Sequence, residues 1–458
     1  MNGKTSGMTD MTVGKPMTLI AAFALPLLAG NVLQQLYNMV DSMVVGRFVG
    51  SVALAAVGTG FPIIFMISSL FMGLGMGATI MVSQFYGARD MDRVKRTVDT
   101  IYKGMLAGAV PMTILGMLVS GPLLHLIRVP ADTYPDAHLY MLIIFAGFIG
   151  SLGYNVNAGI LQGLGDSRTP LIFLAVACVM NIVLDLLFVV AFGWAVAGVA
   201  VATIIAQFFS WIFGVFYINR KYPELHIDFR KMTFDKDLFK EILRLGIPAG
   251  IQQALFSLGV MLLQALVNGY GSDFMAGYNG ANKLDTFVFM PIQSFATATT
   301  TYAGQNIGAG RMDRVREGTK ASLILATVVG MAAALLLVAA GPLLLRRFSD
   351  KPVVIDAGMA YLYRVCPFYF LLAFQFILNG TMRGAGEMMT PMVSSIVSQW
   401  LARIPSAYIL DHYFGRDSMF FCFAIGWVIG LIITGGFYLS GRWKNRSVTA
   451  DLSQFPLE

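Results

Sequence analysis

Long apolar stretches, separated by short polar segments, run through almost the whole chain of 458 residues. A helix needs about 20 apolar residues to cross the hydrocarbon core of a bilayer, and each stretch is long enough to do so. The pattern therefore predicts twelve membrane-spanning helices. We expect them near residues 17–43, 53–82, 97–124, 136–163, 170–192, 195–219, 243–268, 274–303, 319–344, 355–382, 391–412 and 418–441.

The chain also repeats itself at an offset of 221 residues. Segment 84–94 (QFYGARDMDRV) matches segment 305–315 (QNIGAGRMDRV), and segment 163–170 (GLGDSRTP) matches segment 384–391 (GAGEMMTP). An even number of spans in each half makes the halves parallel repeats, an arrangement found in secondary transporters with their site near the bilayer midplane. We therefore predict an all-α integral membrane protein with two six-helix bundles, related by a pseudo-two-fold axis along the membrane normal.

The connections between spans predict the lobes and their orientation. We expect an N-terminal six-helix lobe at 1–219, a cytoplasmic linker at 220–242 and a C-terminal six-helix lobe at 243–458. Loops on the side of the chain termini carry 21 basic residues, and loops on the other side carry six. Because basic loops remain in the cytoplasm, we expect both termini there, in a multi-pass protein of the cell inner (plasma) membrane.

Composition excludes the soluble classes of protein. The chain is 57% hydrophobic and 12% charged, whereas soluble domains are about 45–50% apolar and about 25% charged. The net charge is +7, but the basic residues fall in the loops between the spans. We therefore expect a lipid bilayer and no nucleic acid as partner. No histidine falls in the middle of a predicted span, and the cysteines are isolated. We therefore expect no enzyme activity, no cofactor and no metal beyond a coupling ion.

Asp41 stands out because it lies within the first apolar stretch and maps to Leu262 or Leu263 in the second half. A carboxylate at membrane depth costs roughly 2.5–3.5 kcal/mol on insertion scales, so such an acid indicates a functional site. Gln34 and Tyr37 precede it by seven and four residues. At this spacing all three side chains share one face of a helix.

The fifth and sixth predicted spans carry polar residues at matching depth. Asn181 and Asp185 are four residues apart, as are Thr203 and Gln207, so each pair shares a helix face. Counting residues from the ends of the spans places these groups and Asp41 in the outer half of the first bundle. The resulting oxygen-rich pocket suits either a hard cation or a shared proton. The residues themselves leave H⁺ and Na⁺ both open.

The second half has intramembrane charges of its own. Lys283 and Asp285 lie in the eighth predicted span, and Arg403 lies in the eleventh. Residues two apart do not face each other on a helix, so Lys283 and Asp285 point in different directions. Contact with a substrate and a structural ion pair with Arg403 are both open.

Several motifs together resemble one known family. They are Pro26 followed by QQLYNMVDS at 34–42, GRFVG at 46–50, ALAA at 53–56, GLGDSRTP at 163–170 and WLARIP at 400–405. These segments are similar to those of the MATE family (multidrug and toxic compound extrusion), and the resemblance extends over nearly the whole chain. It implies a cation-coupled antiporter whose two six-helix bundles form a V-shaped cavity. Such proteins export amphipathic, often cationic, organic compounds against a proton or sodium gradient.

The resemblance also implies roles for individual residues. The family's cation site matches Asp41, Asn181, Asp185 and Thr203, with Tyr37 beside them, and its helix-bending prolines match Pro26 and Pro248. Some branches place a Glu a few residues after the second proline, but segment 248–256 contains no acid. A sodium site of that type is therefore doubtful, and the pattern is closer to the DinF-like branch.

The remaining polar residues of the spans are candidates for contact with small-molecule organic substrates. They are Gln34, Asn38, Gln207, Gln252, Gln253, Lys283, Asp285 and Arg403. An alternative is a flippase or exporter of a lipid-linked or other dedicated substrate in the same superfamily. That function requires a strongly cationic cavity, whereas intramembrane bases are few here. We expect the transporter to be a monomer.

Overall fold

The computed structural model describes residues 9–449, and within them every predicted span is helical. The helices of the first half are α1 (Pro16–Val44), α2 (Ser51–Gly87), α3 (Met91–Leu126), α4 (Tyr134–Ala146), α5 (Phe148–Gly163), α6 (Arg168–Asp185) and α7 (Ala195–Lys221). Those of the second half are α8 (Lys236–Asn268), α9 (Ser272–Gly308), α10 (Met312–Arg346), α11 (Pro352–Val365), α12 (Tyr369–Gly384), α13 (Met389–Ile396), α14 (Ile404–Phe414) and α15 (Cys422–Ser440).

Several spans are interrupted by breaks or wide turns. Helices α4 and α5 form one span bent by 52°, and a 3₁₀ turn at Cys366–Phe368 separates α11 from α12. Turns of π-helix follow α1 at Val45–Val49 and α6 at Leu186–Ala191. A third, at Val397–Arg403, joins α13 to α14. Such turns occur frequently at functional sites.

Polarity differs between the spans. Nine helical segments within residues 9–449 have the length and hydropathy of a membrane span, or ten when α4 and α5 are counted as one. The predicted spans at 274–303 and 391–412 are helical but do not reach that hydropathy. Both contain charged side chains, Asp285 in the first and Arg403 in the second, which lower the mean hydropathy of the segment.

The chain forms two compact units that differ from the predicted lobes at two segments. One unit contains Ala29–Gly250, and the other contains Met11–Leu28 together with Ile251 and the residues that follow. Within helix α1, the boundary between the units falls between Leu28 and Ala29, just after Pro26. Within helix α8, it falls between Gly250 and Ile251, just after Pro248. Both prolines lie inside their helices, but their role in bending remains a prediction.

Hydrogen bonds explain why the start of α1 belongs with the second half. Gln305 accepts from the backbone N–H of Met11 at 2.9 Å, and Asn306 donates to the Met11 carbonyl at 3.1 Å. Arg314 donates to the Gly14 carbonyl at 2.9 Å. Met11 is completely buried, so this segment is part of the core of the second unit.

A close approach of two helices explains why the start of α8 belongs with the first half. A β-carbon added at Gly73 of α2 would lie 2.2 Å from the Gly246 carbonyl oxygen and 2.5 Å from the Gly250 nitrogen. Only glycine allows the two backbones to pack at this distance. The residues of α8 before Ile251 therefore pack on α2.

Asp166 anchors the start of α6, the helix that carries Asn181 and Asp185. Its carboxylate accepts hydrogen bonds from the Thr169 hydroxyl at 2.6 Å, from Lys221 Nζ at 2.8 Å and from the Tyr222 hydroxyl at 2.8 Å. Burial alone would raise the pKa of this carboxyl, but the hydrogen bonds outweigh it and hold the pKa below its usual value. The ionised form is thus stabilised, and the α6 start is fixed to the end of α7.

Candidate functional site

Asn181 and Asp185 lie one turn apart at the end of α6, and both are almost completely buried. The amide of Asn181, oriented so that both of its polar atoms have partners, donates to Asp185 Oδ2 at 2.9 Å. Its oxygen accepts from the backbone N–H of Thr203 at 3.2 Å. The Thr203 hydroxyl donates to the Val199 carbonyl within α7 at 3.0 Å. Asn181 therefore fixes the Asp185 carboxylate and links α6 to α7.

Asp41 of α1 lies next to Asp185 of α6 within the first unit. The two carboxyl groups lie close enough to interact electrostatically. Asp41 Oδ1 and Asp185 Oδ1 are buried, and neither has a hydrogen-bond partner in the part of the chain that the structure describes. Two ionised carboxylates at this range repel each other. A proton or a cation between them would remove that repulsion and give the unpaired oxygens a partner.

Two tyrosines complete the surroundings of the acid pair. Tyr37, one turn before Asp41 on α1, lies close enough to Asp41 to interact with it electrostatically. Tyr140 of α4 is buried and lies close enough to both carboxyl groups to interact with them electrostatically. The structure thus brings together the five predicted residues of the cation site, although their roles remain predictions.

Tyr140 is a residue that the sequence reasoning missed. A signal for it exists in the repeat, because Tyr140 matches Tyr361 at the offset of 221 residues. Tyr361 in turn donates a hydrogen bond to Asp285 at 2.9 Å. A tyrosine at one repeated position therefore lies near an intramembrane acid in each half.

The other polar candidates of the first half lie on the same helices. Gln34 donates to Asn38 Oδ1 at 3.4 Å, one turn along α1. Gln207 follows Thr203 by one turn on α7. All three side chains are partly exposed, so they are available for contact with a substrate.

In the second unit, Asp285 of α9 is held by two tyrosines. Tyr361 donates to its Oδ2 at 2.9 Å and Tyr369 donates to its Oδ1. Arg403 lies within electrostatic range, but among residues 9–449 no ion pair joins it to Asp285 within 4.0 Å. The Arg403 guanidinium instead donates to Gln399 at 3.0 Å and stacks on the Phe423 ring, 3.5 Å from its centroid.

The remaining candidates of the second half differ in their surroundings. Gln252 donates to the Pro391 carbonyl at 3.2 Å and to Ser395, and it accepts from Arg383 at 2.7 Å. Its amide is therefore occupied by the protein, which argues against its predicted contact with a substrate. Gln253 is partly exposed, and Lys283 is exposed on α9.

The chemistry of the first-half site follows from its oxygen atoms. Within residues 9–449 no group of three or more His, Cys, Asp or Glu side chains could hold a metal ion. The cysteines Cys178, Cys366 and Cys422 are buried free thiols. The site contains two carboxylates, an amide and hydroxyls, a set that suits a proton or a hard monovalent cation.

Comparison with known proteins identifies the family. The MatE family profile matches residues 26–187 and 248–409, one segment in each half. The probable multidrug resistance protein YpnP of Bacillus subtilis is 31% identical over 436 residues, which cover 95% of this chain and 97% of that protein. The probable multidrug resistance protein YoeA of the same organism is 30% identical over 454 residues, 97% of each chain.

Solved structures support the fold. A transporter of the MOP superfamily from Pyrococcus furiosus superposes with a TM-score of 0.89 at 24% identity, covering 97% of this chain and all of that one. A crystal structure of MATE in complex with MaD3S superposes with a TM-score of 0.87 at 24% identity, covering 94% and 98%. The all-α fold expected from the apolar pattern is confirmed, whereas the DinF-like branch remains a prediction. The chain is a multi-pass membrane protein that belongs to the MatE family of multidrug efflux transporters.

Proposed function

We propose that this protein is a secondary active antiporter that exports amphipathic, cationic organic compounds in exchange for H⁺ or Na⁺. It acts in the cell inner (plasma) membrane with both termini in the cytoplasm. The observation that carries the proposal is the acid pair of the first unit. Asp185 is fully buried and Asp41 is half-buried, and each has a buried oxygen without a hydrogen-bond partner among residues 9–449.

The acid pair supplies the coupling because its charge depends on the bound ion. When a proton or Na⁺ from outside neutralises the pair, its attraction for a cationic substrate weakens, and the substrate is released. When the ion leaves to the cytoplasm, the ionised pair attracts the next cation. A ligand shifts a conformational equilibrium only through its different affinity for the two states, and the coupling is reciprocal.

The neighbouring residues position the pair. Asn181 donates to Asp185 Oδ2, while Oδ1 of that carboxylate has no partner among the described residues. Tyr37 of α1 and Thr203 of α7 lie beside the pair. Asp41 lies at the end of α1, next to the π-helical turn Val45–Val49, so a change in that turn would move its carboxylate relative to Asp185.

Asp285 and Arg403 have a structural role in this proposal, whereas the exposed Lys283 remains a candidate for substrate contact. Asp285 accepts hydrogen bonds from two tyrosines, so both of its oxygens are satisfied. Arg403 is held by Gln399 and Phe423. These contacts also disfavour a dedicated exporter of lipid-linked anions, because the buried guanidinium is engaged by the protein.

The test is efflux of a fluorescent organic cation from proteoliposomes, with a pH gradient and a sodium gradient imposed separately. We expect one of the two gradients to drive efflux by the wild type, which identifies the coupling ion. Asp41→Asn keeps the shape of the side chain and removes its charge, so gradient-driven efflux should be lost while the protein still folds. Wild-type efflux by Asp41→Asn would refute the role of Asp41. If neither gradient drives efflux of any cation tried, cation antiport is refuted.

A further inference from the structure

A groove of about 570 Å³ lies between α13 and α15, at the end of the second unit that faces the cytoplasm in the orientation proposed above. Its wall is apolar and is formed by Met389, Val393, Ile433 and Phe437. Ser440 and Arg442 line its polar end. The groove therefore combines an apolar trough with a hydroxyl and a cation at one end.

The first half has a buried valine at the matching place, which makes the repeat an internal control. Segment 214–217 (GVFY) matches segment 435–438 (GGFY) at the offset of 221 residues. Val215 is buried in the first half. A β-carbon added at its counterpart, Gly436, would meet no atom within 4 Å. The absence of the valine side chain at this position leaves room for a ligand.

The cations at the matching ends also differ. Lys221 is neutralised in the first half, since its Nζ lies 2.8 Å from Asp166 Oδ2. Its counterpart in the second half is Arg442, whose guanidinium makes no hydrogen bond or ion pair with any residue between Thr9 and Thr449. The counterpart of Asp166 is Glu387, and that carboxylate is bound by Arg446 at 3.4 Å. Within the described residues, the Arg442 guanidinium therefore has no anionic partner.

We propose that this groove binds an anionic phospholipid of the cytoplasmic leaflet. The lipid phosphate would lie against Arg442 and Ser440, and an acyl chain would follow the apolar wall past Gly436. Basic pockets between membrane-spanning helices on the cytoplasmic side are suited to anionic headgroups. A soluble phosphate would leave the apolar wall uncovered, and a neutral lipid would leave the Arg442 charge uncompensated. The proposal depends on the membrane orientation and is independent of ion coupling.

The test is lipid binding to the purified full-length protein by native mass spectrometry. Phosphatidylglycerol is titrated against phosphatidylcholine with the same acyl chains, and glycerol phosphate serves as the soluble competitor. We expect Arg442→Gln to weaken phosphatidylglycerol binding about fivefold, the value for one basic residue near the membrane surface. Gly436→Val restores the first-half residue, fills the groove and should remove one bound lipid. Arg230→Gln, an exposed base elsewhere, is the matched control and should bind like the wild type.

Equal weakening by Arg442→Gln and Arg230→Gln would overturn the proposal, because it would show only a general effect of net charge. Equal affinity for the two lipids, or competition by glycerol phosphate at the lipid's own concentration, would also overturn it. Gly436→Val is not expected to impair folding, since its β-carbon meets no neighbour. An unchanged melting temperature of that variant, together with the loss of one lipid, would support the groove as the site.

Discussion

The two halves of the molecule each hold intramembrane carboxylates, but they satisfy them in opposite ways. In the first half, Asp41 and Asp185 face each other, and each retains an oxygen without a partner. In the second half, Asp285 has a tyrosine hydroxyl on each oxygen and Arg403 within electrostatic range. The first arrangement lacks a positive charge, whereas the second already contains one. Among the described residues, buried carboxylate oxygens without a partner therefore occur at the acid pair of the first half and not at Asp285.

The repeat shows which part of this arrangement the two halves share. Tyr140 and Tyr361 occupy the same repeated position, and each lies near the acid of its own half. The acids themselves come from different helices, α1 and α6 in the first half and α9 in the second. The tyrosine position is thus common to both halves. Whether the tyrosine hydroxyl donates a hydrogen bond to the acid depends on the helix that carries the acid.

The largest expected difference concerns transport. Asp185→Asn removes one charge of the unpaired site, and we expect gradient-driven efflux to fall by about tenfold or more, within the usual range of coupling between sites. Asp285→Asn keeps an oxygen for the tyrosine hydroxyls and should retain most of the wild-type rate. Initial efflux rates from proteoliposomes with equal protein content provide the measurement. Equal losses in both variants would mean that the two halves do not differ in function.

A smaller effect concerns stability. Tyr361→Phe removes a hydrogen bond to a carboxylate, which should destabilise the protein by about 1.5–3 kcal/mol. Tyr140→Phe should cost less than about 1 kcal/mol, because its hydroxyl makes no hydrogen bond with the residues from Thr9 to Thr449. Unfolding of both variants in the same detergent provides the comparison. A larger loss of stability in Tyr140→Phe than in Tyr361→Phe would contradict the claim that the tyrosine hydrogen bond is made in the second half and not in the first.

The sequence predicts the helical spans and the shared faces of their polar residues, because both depend on local patterns. Apolar runs locate the helices, and spacings of three or four residues place Asn181 and Asp185 on one face. The breaks inside spans, such as that between α4 and α5, were not predicted. They depend on local backbone geometry that hydropathy does not record.

Contacts made over long sequence distances were also beyond the sequence reasoning. Tyr369 lies 84 residues from Asp285, and tyrosines are too common in membrane spans for composition to single one out. The packing of Met11–Leu28 with the second unit depends on hydrogen bonds with residues about 300 positions away: Gln305 accepts from Met11, and Arg314 donates to Gly14. Such pairings are determined by tertiary packing and leave no periodic signal.

The most direct test of the account is reciprocal binding by the acid pair. The dissociation constant of a fluorescent organic cation such as ethidium would be measured on the purified protein over a range of pH and of sodium concentration. We predict that protons or Na⁺ weaken ethidium binding to the wild type by about fivefold or more, and that Asp41→Asn binds it independently of both ions. A dependence that persists unchanged in Asp41→Asn would contradict the claim that the first-half acids couple ion and substrate.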